Sequence, residues 1–301
     1  LVEICEVAPR DGLQNEATLV STHDKLRLIE ALVEAGVKRI EATSFVHPGR
    51  VPQMADAEAV MAGVPRDRGV RWAGLALNIR GVARAIAAGC DEVAFAFPAS
   101  EAFCRRNQGH SVAEGLRNWA EAAPIIRAAG RIPTLTIATA FGCPFEGPVD
   151  PASVVRIAAA VAESGPAEIS LADTIGVATP DQVGGLFLRV AQAAPGVALR
   201  AHFHNTRNTG YANAYAALKA GVSVLDSSAG GIGGCPFAPR ATGNIATADL
   251  LFMLDGMGVP HGIDRARMAA LDEVLAHMLG HPVPGLLGRT DAWPPVAAMV
   301  G

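Results

Sequence analysis

His202 and His204 stand two residues apart in an apolar, strand-like run over residues 198–204. A β-strand turns alternate side chains to opposite faces, so both imidazoles point the same way, as a shared metal ion requires. Other chemistry-bearing residues also follow short apolar runs. Arg10-Asp11 ends the first, Glu41 lies in the second, and Asp173-Thr174 ends a later one. Asn244 comes after the glycine-rich stretch Gly230-Gly231-Ile232-Gly233-Gly234-Cys235-Pro236. The Asp11 carboxylate, the Asn244 amide oxygen and two imidazoles form a mixed nitrogen and oxygen set. It suits Mg²⁺ or Mn²⁺ and, less comfortably, Zn²⁺. The alternative for the histidines is loop hydrogen bonding, which would win for a lone histidine; the strand-end Asp11 favours the metal.

Arg10 is placed where a guanidinium can stabilise a developing enolate or carboxylate oxygen. Its structural alternative is an ion pair with Glu41 or Asp173, and the two roles are compatible. Glu41 is then an orienter as readily as a catalyst. Cys235 sits on a loop that glycines free to close over a ligand, where a thiol can carry a proton. Cys5, Cys90 and Cys143 read as buried, inert thiols.

These residues need elements that bring them together. Strands are expected over residues 2–8, 39–45, 71–77, 92–97, 134–140, 168–172, 198–204 and 224–229, with helices over 23–35, 112–129, 151–163, 180–194 and 210–220. The alternation implies parallel strands joined by helical crossovers, and Gly36, Gly89, Gly130 and Gly221 are placed to end helices. Eight units favour an α/β TIM (β/α)8 barrel, whose active site gathers at the C-terminal strand ends. The first strand leads into Pro9-Arg10-Asp11-Gly12 instead of a Gly-x-Gly-x-x-Gly turn, which argues against a dinucleotide fold. No linker divides residues 1–301, so one catalytic domain is expected, with a C-terminal helix and tail from about residue 268 capping the barrel.

Half of the 301 residues are hydrophobic and the formal net charge is −4 with no basic stripe, so neither nucleic acid nor an anionic membrane surface is an expected partner. Five widely spaced cysteines form no disulfide framework or zinc ribbon. A cytoplasmic setting fits, although the sequence starts at Leu1 and a targeting segment could precede it.

Several motifs in order carry a family resemblance. They are residues 7–16 (VAPRDGLQNE), 41–46 (EATSFV) with 51–54 (VPQM), and 142–147 (GCPFEG). Then come 173–176 (DTIG), Asp226-Ser227-Ser228 with the Gly-Gly-Cys-Pro loop, and 243–247 (GNIAT). Together they resemble the 3-hydroxy-3-methylglutaryl-CoA lyases of the DRE-TIM metallolyase group. The resemblance implies a homodimeric lyase that cleaves an acyl-CoA thioester to acetyl-CoA and acetoacetate, with Asp11, His202, His204 and Asn244 as metal ligands. It further implies Arg10 at the substrate carbonyl, Cys235 in proton transfer with His202, Ser44 and Thr174 as substrate hydrogen-bonders, and Glu41 and Asp173 as supports. The chain departs from the pattern at Asn205-Thr206-Arg207-Asn208, at Ala248 and at Phe97-Pro98-Ala99-Ser100, which bears on the acyl group. The rivals are a related lyase or Claisen synthase acting on another acyl-CoA or keto acid, and a metal-containing barrel that only binds acyl-CoA.

Overall fold

Eight parallel strands close on themselves in a computed structural model that describes residues 1–234, 243–291 and 293. In chain order the strands are β1 (Glu3–Glu6), β2 (Arg39–Ser44), β3 (Arg71–Ala76), β4 (Glu92–Pro98) and β5 (Ile132–Ala138). A two-residue hairpin of β6 (Gly142–Cys143) and β7 (Gly147–Pro148) follows, then β8 (Glu168–Asp173), β9 (Ala198–Phe203) and β10 (Val224–Ser227). The barrel order is β1-β2-β3-β4-β5-β8-β9-β10, with β10 pairing back onto β1. All eight expected strands form, and the architecture is the TIM barrel.

The helices are α1 (Thr22–Glu34), α2 (Ala57–Gly63), α3 (Ile79–Ala87), α4 (Glu101–Asn107), α5 (Val112–Ala128), α6 (Pro151–Ala162), α7 (Pro180–Ala193), α8 (Gly210–Lys219), α9 (Thr247–Gly256) and α10 (Arg265–Leu279). Their caps follow from sequence: Ser21 accepts from the Asp24 amide at the start of α1, and Ser111 with Glu114 closes a reciprocal cap on α5. Gly36, Gly89, Gly130 and Gly221 take the left-handed conformation expected of helix stops.

Alternation divides each strand between two cores. On β4, Val93, Phe95 and Phe97 face the helices, and the Phe95 ring lies 6.0 Å from that of Trp119 on α5. The inner face instead carries a layer of charge. Arg39 grips Glu92 at 2.7 and 2.9 Å and Glu168 at 2.6 and 2.9 Å. Arg200 pairs with Asp226 and lies 3.6–3.7 Å from Glu41, Glu92 and Glu168. Opposite charges satisfied on several sides hold this buried layer together, where a single unpaired charge would be costly. It forms the floor on which the site rests.

Candidate active site

β1 passes into a single wide helical turn, in which the Gly12 amide donates to the Val7 carbonyl five residues back at 3.0 Å. Such widened turns recur at functional sites, and this one carries Arg10 and Asp11 over the barrel mouth. Glu6 anchors it, accepting from the Ala8 and Ala229 amides at 2.8 and 2.9 Å and from the Thr247 hydroxyl at 2.6 Å. The ends of β1 and β10 are thereby joined.

His202 and His204 do point the same way. Their Nε2 atoms lie 3.9 and 3.8 Å from Oδ2 of Asp11, and one ligand atom from each of the three residues falls within 4.8 Å of the others. Asn244 is brought in by backbone pairing: it bridges His204, the Asn205 amide donates to the Gly243 carbonyl at 2.8 Å, and the Ile245 amide donates to Phe203 at 3.2 Å. Its Nδ2 donates to Asp11 Oδ2 at 2.8 Å and to the Ile232 carbonyl at 3.0 Å. Ligation through the oxygen requires that amide to turn once Asp11 holds a cation, and which end of an amide faces a carboxylate is set by such partners. Gly233 makes this approach possible: at φ +115° a Cβ there would stand 2.4 Å from Asn244 Nδ2.

The donor set fits a hard divalent cation. Two imidazole nitrogens and a carboxylate oxygen converge, and Arg10 with the imidazoles outweighs burial to hold the Asp11 carboxyl well below its ordinary range. Nδ1 of His202 is engaged by Asp226 at 3.0 Å, which leaves Nε2 for a ligand. Burial disfavours the His202 cation, but Asp226 and Asp11 prevail and raise its pKa. Nδ1 of His204 is buried without a hydrogen-bond partner among the described residues.

Of the two partners open to Arg10, the structure selects Glu41. Nε of Arg10 donates to Glu41 Oε1, and Nη1 donates to Asp11 Oδ1 at 2.5 Å. Among the described residues Nη2 makes no hydrogen bond. Asp173 turns away: its carboxylate accepts from the Val177 and Ala178 amides, both at 2.9 Å, and organises the turn after β8. Thr174 lines the pocket, and its hydroxyl oxygen accepts from the Thr139 amide at 2.8 Å. Ser44 stands behind Gln14, to whose amide oxygen it donates at 3.4 Å, and Gln14 itself lines the pocket. Cys235 lies outside the described residues. Gly234, just before it, lines the pocket and accepts from the Asn15 side chain at 2.7 Å.

Sequence reasoning assigned no role to Arg200 or Asp226, although both belong to the inner face. Counting back by two from His202 reaches Arg200, so the strand period that found the histidine pair could have found it as well. Arg207, one of the departures, donates to the Ile175 and Gly176 carbonyls, both at 3.0 Å, and clamps the turn that carries Thr174. Asp249, beside the neutral Ala248, accepts from Tyr211 and from the Leu286 and Leu287 amides and serves the C-terminal turn.

Comparison with known proteins places the chain in a family. The HMGL-like family model matches residues 1–275. An (R)-citramalyl-CoA lyase of Chloroflexus aurantiacus is 44% identical, covering 99% of this chain and 98% of that protein. The mitochondrial hydroxymethylglutaryl-CoA lyase of Bos taurus is 44% identical over 89% of this chain and 82% of its own length. The structure of an HMG-CoA lyase from Acinetobacter baumannii, in complex with coenzyme A and 3-methylmalate, superposes with a TM-score of 0.93 at 37% identity, covering 98% and 96% of the two chains. With the fold, the motif order and relatives over nearly its whole length in accord, this chain belongs to the HMGL-like family and is a lyase.

Proposed function

We propose that this lyase breaks the C2–C3 bond of 3-hydroxy-3-methylglutaryl-CoA or a close analogue, giving acetyl-CoA and acetoacetate, with Mg²⁺ or Mn²⁺ held by Asp11, His202, His204 and Asn244. The observation that carries the reading is the convergence of Asp11, His202 and His204 beside Arg10 in one pocket. A divalent cation there, when bound, makes the tertiary hydroxyl more acidic. Once the hydroxyl proton has passed to solvent, the C2–C3 bond opens and charge moves onto the thioester oxygen. Arg10, fixed by Glu41 and Asp11, offers its remaining donors to that oxygen. Thr174 binds the acyl group, Ser44 acts on it through Gln14, which it holds at the pocket wall, and Cys235 with His202 returns a proton to C2. Asp173 acts through the turn it caps. The enzyme is proposed to work as a cytoplasmic homodimer, which sedimentation and cell fractionation would check.

A second substrate is favoured by a specific observation: the relative matched over 99% of this chain carries the name (R)-citramalyl-CoA lyase. In citramalyl-CoA the carboxylate is bonded directly to C3, so the same cleavage releases pyruvate. One methylene separates the two substrates, and an apolar pocket distinguishes such a pair by roughly 10- to 200-fold. Incubating the Mg²⁺- or Mn²⁺-loaded protein with both thioesters, and measuring acetyl-CoA together with acetoacetate or pyruvate, decides between them. Condensation of acetyl-CoA with a keto acid as the faster direction would favour the synthase reading, and binding without turnover the acyl-CoA-binding barrel.

A further inference from the structure

Two arms of the site meet at one buried guanidinium. Counting back one strand period from His202 along β9 places Arg200 on the same inner face, at the floor of the pocket that Arg10, Asp11 and the histidines line. Its Nε donates to Oδ1 of Asp226, and its Nη2 stands 3.7 Å from Oε2 of Glu41. Each of these carboxylates commits its other oxygen to a group of the site. Oδ2 of Asp226 engages Nδ1 of His202 at 3.0 Å, and Oε1 of Glu41 accepts from Nε of Arg10. Neutralising the floor does not account for Arg200, because Arg39 already binds Glu92 and Glu168 through hydrogen bonds of 2.6–2.9 Å. Asp226 and Glu41 are the carboxylates that depend on it. Among the described residues, Asp226 has no ion-pair partner besides Arg200 and His202, and Glu41 none besides Arg200 and Arg10.

We propose that Arg200 is a positioning residue: its planar guanidinium holds Asp226 and Glu41 at one separation and so sets His202 and Arg10 at the spacing that a single substrate demands. The inference rests on the reading above, in which His202 serves the end bearing the C3 hydroxyl and Arg10 serves the thioester oxygen. The C3–C2–C1 backbone of the substrate joins those ends, so the two groups must stay in register while the C2–C3 bond opens. A misplacement of about 1 Å at such a site costs on the order of 10²-fold in rate. A guanidinium suits the task because it is rigid, stays charged and directs donors to more than one side. A lysine ammonium is a point charge on a flexible stem and meets one carboxylate or the other. Arg200 needs no contact with the substrate, since it acts through Asp226 and Glu41.

The test measures kcat and KM for 3-hydroxy-3-methylglutaryl-CoA, and Mn²⁺ affinity by calorimetry, in wild type, Arg200→Met and Arg200→Lys. Arg200→Met is expected to lower kcat about 10²-fold at nearly constant KM and to weaken Mn²⁺ binding roughly 10- to 100-fold. Both losses should be non-additive. In an Asp226→Asn background, Arg200→Met should leave Mn²⁺ affinity where Asp226→Asn alone puts it. In a Glu41→Gln background, it should lower kcat by a smaller factor than in wild type. Losses that multiply in both cycles would overturn the proposal and reduce Arg200 to a neutralising charge. Arg200→Lys is the rescue test: keeping the charge should restore at most one of the two readouts, and wild-type values in both would overturn the proposal. This variant carries the test by itself if Arg200→Met fails to fold by circular dichroism. A wild type that binds Mn²⁺ but cleaves no thioester would sink the assigned reaction, and the Mn²⁺ cycle would then decide alone, additivity overturning the role of Arg200 and non-additivity upholding it. A wild type that binds no Mn²⁺ would overturn both.

Discussion

Nδ1 of His202 lies 3.0 Å from Oδ2 of Asp226, whose other oxygen is held by Nε of Arg200. Burial would raise the Asp226 carboxyl, but Arg200 and His202 outweigh it and bring it down to about 2, so Asp226 stays anionic at working pH. The anion keeps the proton on Nδ1 and directs the Nε2 lone pair at the pocket. Asp226→Asn preserves shape but removes that charge. Affinity for Mn²⁺, read by calorimetry, is expected to fall roughly 10- to 100-fold; unchanged affinity would show that the carboxylate does not tune the ligand.

How far the sequence foretold this site depends on the kind of signal. Eight strands were legible because apolar runs with glycine stops repeat, and His202 and His204 because the strand period is short. Helices α2 and α4 span only seven residues each, too short to display a helical stripe. The ion layer was hidden for another reason. Arg39, Glu92 and Glu168 open their strands, where a charge reads as a polar flank, and only closure of the barrel brings them face to face. Asp173 shows the limit of strand-end logic, since its position matched a pocket carboxylate while the Val177 and Ala178 amides claim both its oxygens.

Arg10→Lys retains the charge but cannot reproduce the fork that engages Glu41 and Asp11 while presenting further donors. If that fork stabilises the enolate, kcat should fall about 10²- to 10³-fold with little change in KM. Steady-state release of acetyl-CoA measures both constants. A rise in KM at unchanged kcat would instead make Arg10 a ground-state binder.

Cys235→Ser replaces a thiol by a hydroxyl of similar size but much higher pKa. A proton-transfer role implies a loss of roughly 10²- to 10⁴-fold in turnover, with metal content unaltered by elemental analysis. Activity equal to wild type would remove Cys235 from the reaction.

Asp272 on α10 is 6% exposed, and neither of its oxygens receives a hydrogen bond among the described residues. Burial, reinforced by the nearby Asp249, lifts its pKa from 3.8 to about 6. The folded chain therefore holds a proton here that the unfolded chain releases. Stability from this group is complete below pH 3.8 and is lost as pH rises through about 6. Above that the charged carboxylate costs on the order of 2–3 kcal/mol. Asp272→Asn keeps the shape without the charge, so it should raise Tm by several degrees at pH 8 and by little at pH 4. Thermal melts across that range test the sign, and an equal shift at both ends would show that packing, not ionisation, governs this junction between α10 and the C-terminal turn.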